Sequence, residues 1–399
     1  MGLKVLFLSL VVAGGVFLGL VGFCPGARQQ VAFCTQSGIL SDWFYPRVLA
    51  ERAKPYDAVT AEEMADLCES RGWRCDWAET FRRRLGLKAW KGGFPPYIDK
   101  FDACYPALAL AMVRLFPCSG EGALAGSLIG LLLLGLACVG LAAKRDDLDG
   151  TGVGLAAAAA VLSFPTLYGV ERGQLVLFAA AGVATFLATR ESKGSVRELG
   201  VVALAVASVL KITPGVFALV LVRERKWQDL AVFAVVSAVL FFVPFAWYGG
   251  VDGFFAWMAN ASENGRHYVP LGSWGFVAVF RFVRMVLGLS CDEAWTGLGL
   301  ARILSVTFGL LALWRYWKAG DVFFLVMTML LVPGNMNYYT GVYLVVALLV
   351  GRWNKAELCA WFVILCALQL PYGAFSVNRH LANVVFLGMA MWRGWRVGG

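Results

Sequence analysis

Asp42 lies in the run Ser41-Asp42-Trp43-Phe44-Tyr45-Pro46, beyond an apolar stretch that ends at Phe23, and Lys54-Pro55-Tyr56-Asp57 follows it. A carboxylate set among aromatics just outside a hydrocarbon span is more than a plain anchor needs. It suits a membrane enzyme that works on a lipid-linked substrate at the outer water boundary. The bland alternative is local: Ser-Asp before an aromatic run is also a helix-start signal, and Asp42 would then only cap the helix that follows. Asp57 and Asp102 are the other carboxylates that could serve. Cations able to meet an anion are few. Arg172 stands at an expected turn beside Gly173-Gln174, where a helix start would add backbone N–H groups. Lys211 lies within an apolar run, where an ionisable group marks either a function or a side chain snorkelling into a water-filled cleft. Arg266-His267-Tyr268 precedes the turn Gly272-Ser273-Trp274. Arg281 and Arg284 share a helical face and read as contacts to lipid headgroups. Arg379-His380 is the weakest candidate.

The elements that must position these residues are mostly apolar. Of the 399 residues, 59% are hydrophobic and only 15% charged, with a mean hydropathy of +0.69. Soluble domains carry about 25% charged residues, so a polytopic membrane protein is expected. The net charge is +9. Its basic residues gather in short loops between apolar runs, which indicates orientation in a bilayer rather than binding to nucleic acid. The two histidines, His267 and His380, are too far apart to share a helical turn, so a histidine-rich metal site is excluded. Six of the ten cysteines, Cys24, Cys34, Cys68, Cys75, Cys104 and Cys118, fall in or beside the first polar loop. Disulfides are plausible there if that loop faces an oxidising compartment, with pairing left open. Zinc ranks below, for lack of a CxxC pair. The first apolar run exceeds a signal-peptide core of about 7–15 residues and ends without a small-x-small site, so it reads as a retained span.

Flanking Lys and Arg orient the runs. Val5–Phe23 runs outward and residues 24–104 form a long outer loop, within which Ala61–Leu85 has helical spacing. The loop holds twelve basic and eleven acidic residues, a balance that does not oppose crossing. Tyr105–Pro117 is too short to span and lies on the outer face. Gly120–Ala143, Gly152–Val170 and Gln174–Thr189 then alternate. Leu199–Val222 has basic clusters at both ends, which predicts a hairpin of two short helices broken at Lys211-Ile212-Thr213-Pro214. Leu230–Tyr248 leads to a second outer loop over residues 249–296. Five further helices follow, from Gly297 to Trp392. The expected fold class is an all-α polytopic membrane protein of about twelve membrane helices in one domain, residues 1–399, with both termini cytoplasmic. Several helices fall short of the ~20 residues of a full span, which predicts a cavity opening outward.

With this pattern on the page, the chain resembles the GT-C glycosyltransferases, and more closely glycosyltransferase family 87, the polyprenol-phosphate-mannose-dependent α-mannosyltransferases. Five stretches carry the likeness: Ser41-Asp42-Trp43-Phe44-Tyr45 with Lys54-Pro55-Tyr56-Asp57; Phe101-Asp102-Ala103-Cys104-Tyr105-Pro106-Ala107-Leu108; Gly173-Gln174 with Leu210-Lys211-Ile212-Thr213-Pro214; Gly272-Ser273-Trp274-Gly275; and Pro333-Gly334-Asn335-Met336-Asn337-Tyr338-Tyr339. Ala107 stands where the family carries a second proline, and Asn337-Tyr338 where a histidine is usual. The resemblance implies an inverting transfer of a sugar, mannose in the family, from a polyprenyl phosphate. Asp42 would be the general base. Arg172, Lys211, Arg266 and His267 would hold the donor phosphate, and Trp43, Tyr45, Tyr56, Gln174, Trp274 and Asn337 would line the sugar and acceptor sites.

No Asp-x-Asp signature stands out in the first loop, and no Walker or dinucleotide fingerprint appears, so no metal and no cofactor are expected beyond the donor lipid. The expected partners are membrane lipids, the polyprenyl-phosphate sugar, and a glycolipid or glycan acceptor of the cell envelope at the outer face of a bacterial cytoplasmic membrane; nucleic acid is not among them. Two rivals remain: a transporter or flippase of a lipid-linked sugar, which needs repeat symmetry and mid-membrane polar groups, and a polysaccharide ligase or polymerase, which needs an outer loop rich in Arg and His.

Overall fold

The computed structural model describes residues 2–23, 41–52, 54–57, 66–67, 70, 105–117, 119–267, 274–287, 297–333, 336, 338–368 and 375–396, and every regular element among them is helical. In chain order these are α1 (Leu3–Phe23), α2 (Ser41–Leu49), α3 (Ala107–Arg114), α4 (Gly120–Ala142), α5 (Gly150–Leu162), α6 (Phe164–Arg172), α7 (Val176–Thr189) and α8 (Ser195–Leu210). Then come α9 (Leu219–Arg223), α10 (Trp227–Phe242), α11 (Gly250–His267), α12 (Phe276–Val286) and α13 (Gly297–Ala319). The last are α14 (Val322–Leu331), α15 (Val342–Val350), α16 (Lys355–Leu368) and α17 (Phe375–Arg396). The 3₁₀ turns Thr213–Ala218, Val243–Trp247 and Tyr338–Gly341 interrupt them.

Small residues decide which helices meet. At Gly182 of α7 an added Cβ would press on the Ala203 carbonyl of α8, so these two helices approach backbone to backbone. Every residue of α14 is buried, and so are eight of the nine in α15. Ten residues rise about 15 Å, half the hydrocarbon thickness. These helices persist because protein, not lipid, surrounds them.

That bears on the lengths of the spans. Among the described residues only Glu121–Ala142 and Trp227–Trp247 are individually long and apolar enough to cross a bilayer. Gly150–Leu162 with Phe164–Val170 makes a third if the pair, bent by 50°, is one span. The bend has local causes. Pro165 sits in the first turn of α6, and the Ser163 hydroxyl donates to the Ala160 carbonyl at 3.1 Å. An all-helical membrane protein stands, with several helices shorter than a full span, as the lengths of the apolar runs predict.

The hairpin in Leu199–Val222 is present. α8 stops at Lys211, whose backbone turns extended (φ −145, ψ 96), and Pro214 begins the return. Both feet meet at one end: Lys226 donates to the Arg190 carbonyl at 2.7 Å, Arg190 pairs with Glu224 at 3.3 Å and Arg197 with Asp229 at 3.3 Å. The same end continues through Arg223 to the Trp317 carbonyl, through Arg393 to Asp321 and Glu357, and through Arg145 to the Leu349 and Gly351 carbonyls. It finishes at Lys4 with Asp149, 2.7 Å apart. Thus the basic loops that sequence assigns to one side of the bilayer gather at one end of the bundle. The Arg145 guanidinium beside Asp147 holds that carboxyl below the usual carboxylate range.

Candidate active site

The opposite end collects most of the stretches singled out from sequence. α2 places Trp43 against α3, α4 and the ends of two further helices. Its ring is 1% exposed and clusters with Ala109, Val113, Ala123, Leu175 and Leu210. Phe116 meets it edge-on at 5.2 Å. Leu175 follows Gln174 and Leu210 precedes Lys211, so one buried cluster draws together α2, the Tyr105-Pro106 segment, the Gly173-Gln174 turn and the hairpin tip. The Lys211 ammonium stands 5.0 Å from the Tyr105 ring centroid, a cation–π distance. α2 also touches α6, whose last residue is the half-buried Arg172.

Trp43 fits because α4 carries Gly126 beneath it. A Cβ at Gly126 would overlap the six-membered ring of Trp43. Gly126→Ala is therefore expected to push α2 outward, lowering stability by about 1–3 kcal/mol and activity with it. Thermal unfolding in detergent checks the first effect and a transfer assay the second.

Asp42 lies in the first turn of α2, one residue before Trp43. Its side chain falls outside the described part, as do those of Tyr45, Arg266 and His267. Asn337 and the six cysteines of the first-loop group lie outside the described residues, and so does most of Ala61–Leu85. Cys138 and Cys359 are free thiols.

Three expectations need correcting. Trp43, Tyr56 and Trp274 do not offer ring faces to a sugar, because all three are buried against the chain itself. Tyr56 donates its hydroxyl to the Tyr105 carbonyl at 3.1 Å, and Asn260 donates to the Tyr56 carbonyl at 2.8 Å. Trp274 packs edge-on to Phe386 at 5.4 Å and donates its backbone N–H to the Met336 carbonyl at 2.8 Å. Second, the N–H groups beside Arg172 do not await an anion. Gly173 takes a left-handed conformation (φ 68) and donates to the Val170 carbonyl, while the Gln174 N–H donates to the Gly169 carbonyl at 2.8 Å. This pair closes the C-terminus of α6 in a Schellman motif, and α7 begins only at Val176. Third, Gln174 is buried, within the wall rather than on its surface.

Sequence reasoning missed a polar cluster beside α2. Arg47 donates to Glu51 four residues on and to the Phe116 carbonyl at 3.1 Å. Arg114 stands 3.8 Å from the same Glu51 and hydrogen-bonds the Tyr248 hydroxyl. The i, i+4 spacing of Arg47 and Glu51 was the available signal. Arg114 and Tyr248 are remote in sequence and gave none.

A family model described as Glycosyltransferase family 87 matches residues 104–334. The chain belongs to glycosyltransferase family 87. The match covers Tyr105-Pro106, Gly173-Gln174 and Lys211 to Pro214, the segments that meet around Trp43 and Lys211, and also Gly272 to Gly275. Asp42 and α2 precede it. No curated protein and no solved structure matches the chain. As a family 87 member the protein is a membrane glycosyltransferase, and the end of the bundle that carries Lys211, Tyr105 and α2 is its candidate active site.

Proposed function

We propose that the protein is an inverting glycosyltransferase that moves a sugar, mannose by family resemblance, from a polyprenyl phosphate to a lipid-linked or glycan acceptor at the outer face of a bacterial cytoplasmic membrane. The observation that carries this reading is the convergence of α2, Tyr105 and Lys211 at the end of the bundle opposite the basic loops. Positive loops favour the cytoplasmic side, so the convergent end faces outward.

Inversion needs one carboxylate on the sugar face opposite the leaving group, to take the acceptor hydroxyl proton as the new bond forms. Asp42 takes that role. Lys211, held by the aromatic face of Tyr105, and Arg172 meet the departing phosphate, whose charge grows as the glycosidic bond breaks. Arg266 and His267, at the end of α11, are further phosphate contacts, and Tyr45 and Asn337 further contacts to sugar or acceptor. The buried Trp43, Tyr56, Gln174 and Trp274 fix the wall behind them.

Membranes with radiolabelled polyprenyl-phosphate-mannose test this reading. Transfer that survives EDTA supports it. Accumulation of labelled donor across the bilayer without product points instead to a flippase. Lys211→Met is expected to lower kcat/KM about tenfold to a hundredfold, the loss of one charge-assisted contact, with Lys211→Arg restoring part of it. An unchanged kcat/KM for Lys211→Met removes that residue from the donor site.

A further inference from the structure

α13 has two unlike sides. Ala301, Ser305, Ala312 and Tyr316 are buried, and α14 packs on that side: the Thr328 hydroxyl of α14 donates to the Gly309 carbonyl at 3.1 Å, and a Cβ at Gly309 would strike Val332 just past α14. The opposite side carries Ile303, Val306, Leu310, Trp314 and Trp317, all exposed. Their spacing of three or four residues makes one continuous apolar face. In a membrane enzyme such a face meets acyl chains. It finishes in two tryptophans at the end of the bundle where the basic loops gather, and tryptophan is the side chain that a bilayer boundary favours.

Two cations stand beside these rings. The Arg315 guanidinium lies over the Trp314 ring, 4.7 Å from its centroid, a cation–π contact that fixes its position. Lys318 is exposed in the last turn of α13. It is four residues from Trp314 and three from Arg315, so both cations share one margin of the face. Among the described residues no carboxylate pairs with either. Asp321, the next acid along the chain, is taken by Arg393 and so is Glu357, while Glu224 is taken by Arg190 and Lys226. The helix dipole accounts for one cation in a last turn. It does not account for a second one stacked on a lipid-facing tryptophan.

We propose that Arg315 and Lys318 together hold the phosphate of one anionic phospholipid, whose headgroup rests against Trp314 and whose acyl chains follow Leu310, Val306 and Ile303. The charge decides the lipid class. A zwitterionic phospholipid brings its own ammonium to a place that already holds two cations, whereas phosphatidylglycerol brings only the phosphate.

The full chain in neutral detergent, titrated with phosphatidylglycerol and followed by native mass spectrometry, tests this without recourse to sugar transfer. One molecule is expected to bind about tenfold more tightly than phosphatidylcholine. Arg315→Gln should weaken it about tenfold, the loss of one charge-assisted contact. Lys318→Glu should weaken it at least as much, and because Lys318 is exposed this variant folds whatever the outcome at Arg315. Lys144→Glu makes the same change of charge just past α4, at the same end of the bundle, and should leave the affinity within about twofold, since separated surface charges are screened. Equal weakening by Lys144→Glu and Lys318→Glu shows a diffuse field and overturns the site. So do an unchanged affinity in Lys318→Glu, equal binding of phosphatidylcholine, displacement of the lipid by millimolar inorganic phosphate alone, and crosslinks from the Trp314 face to a second copy of the chain in place of bound lipid.

Discussion

Asp42→Asn is expected to lower sugar transfer by about 10²–10⁴-fold, the usual contribution of a general base, while expression and thermal unfolding stay at the wild-type level. The substitution separates the two readings of this residue. Asparagine serves a helix start as well as aspartate does, so α2 keeps its first turn and Trp43 its seat over Gly126. If the carboxylate only begins a helix, transfer survives. If it takes the acceptor proton, transfer falls, because an amide cannot accept that proton near neutral pH. Asp42→Glu should recover little, since one added methylene moves the oxygens by more than the geometry of transfer tolerates. Initial rates at saturating donor and acceptor check both variants.

The second large effect lies at the other end of the bundle. Arg393 pairs with Asp321 at 2.6 Å and with Glu357 at 2.7 Å, donates to the Arg352 carbonyl at 3.1 Å, and stacks 4.1 Å from the Trp353 ring centroid. One guanidinium thus fastens α17 to α14 and α16. Arg393→Met is expected to destabilise the protein by about 3–5 kcal/mol, because two carboxylates are left together, largely buried and without their cation. Glu357 also closes the start of α16 through the Asn354 N–H at 2.9 Å, so the loss spreads into that helix. The residual transfer activity per folded molecule should be unchanged, since the clamp sits far from Lys211 along the bundle. Denaturant or thermal unfolding of purified protein measures the first effect; activity normalised to folded protein measures the second. A fall in normalised activity would couple the two ends of the bundle.

The contrast between these residues shows what was legible in the sequence. The broken hairpin could be read because charge is visible along the chain: basic clusters at both feet and a lysine with a proline between them leave few topologies. The gathering of the basic loops at one end of the bundle was legible for the same reason. That α14 and α15 are short was legible too, from the bounds of their apolar runs; their almost complete burial in protein was not. Residue type also failed to tell which way an aromatic faces. Trp43 and Trp274 looked like sugar platforms and proved to be packing wedges, seated by Gly126 and Gly341. The anion-binding turn expected at Gly173-Gln174 was lost to a backbone motif that depends on a single left-handed glycine. Glu51, Arg114 and Tyr248 come together only through folding, and nothing in their separate neighbourhoods announced it.

Electron cryomicroscopy of the protein in a lipid nanodisc with a non-transferable polyprenyl-phosphate-mannose analogue tests the central claim most directly. The account predicts the phosphate within hydrogen-bond reach of Lys211 and Arg172, and the Asp42 carboxylate on the opposite face of the sugar with room for one hydroxyl oxygen between. A phosphate seated among the basic loops around Arg145 and Arg393, or an Asp42 carboxylate turned into bulk solvent away from the sugar, would contradict it.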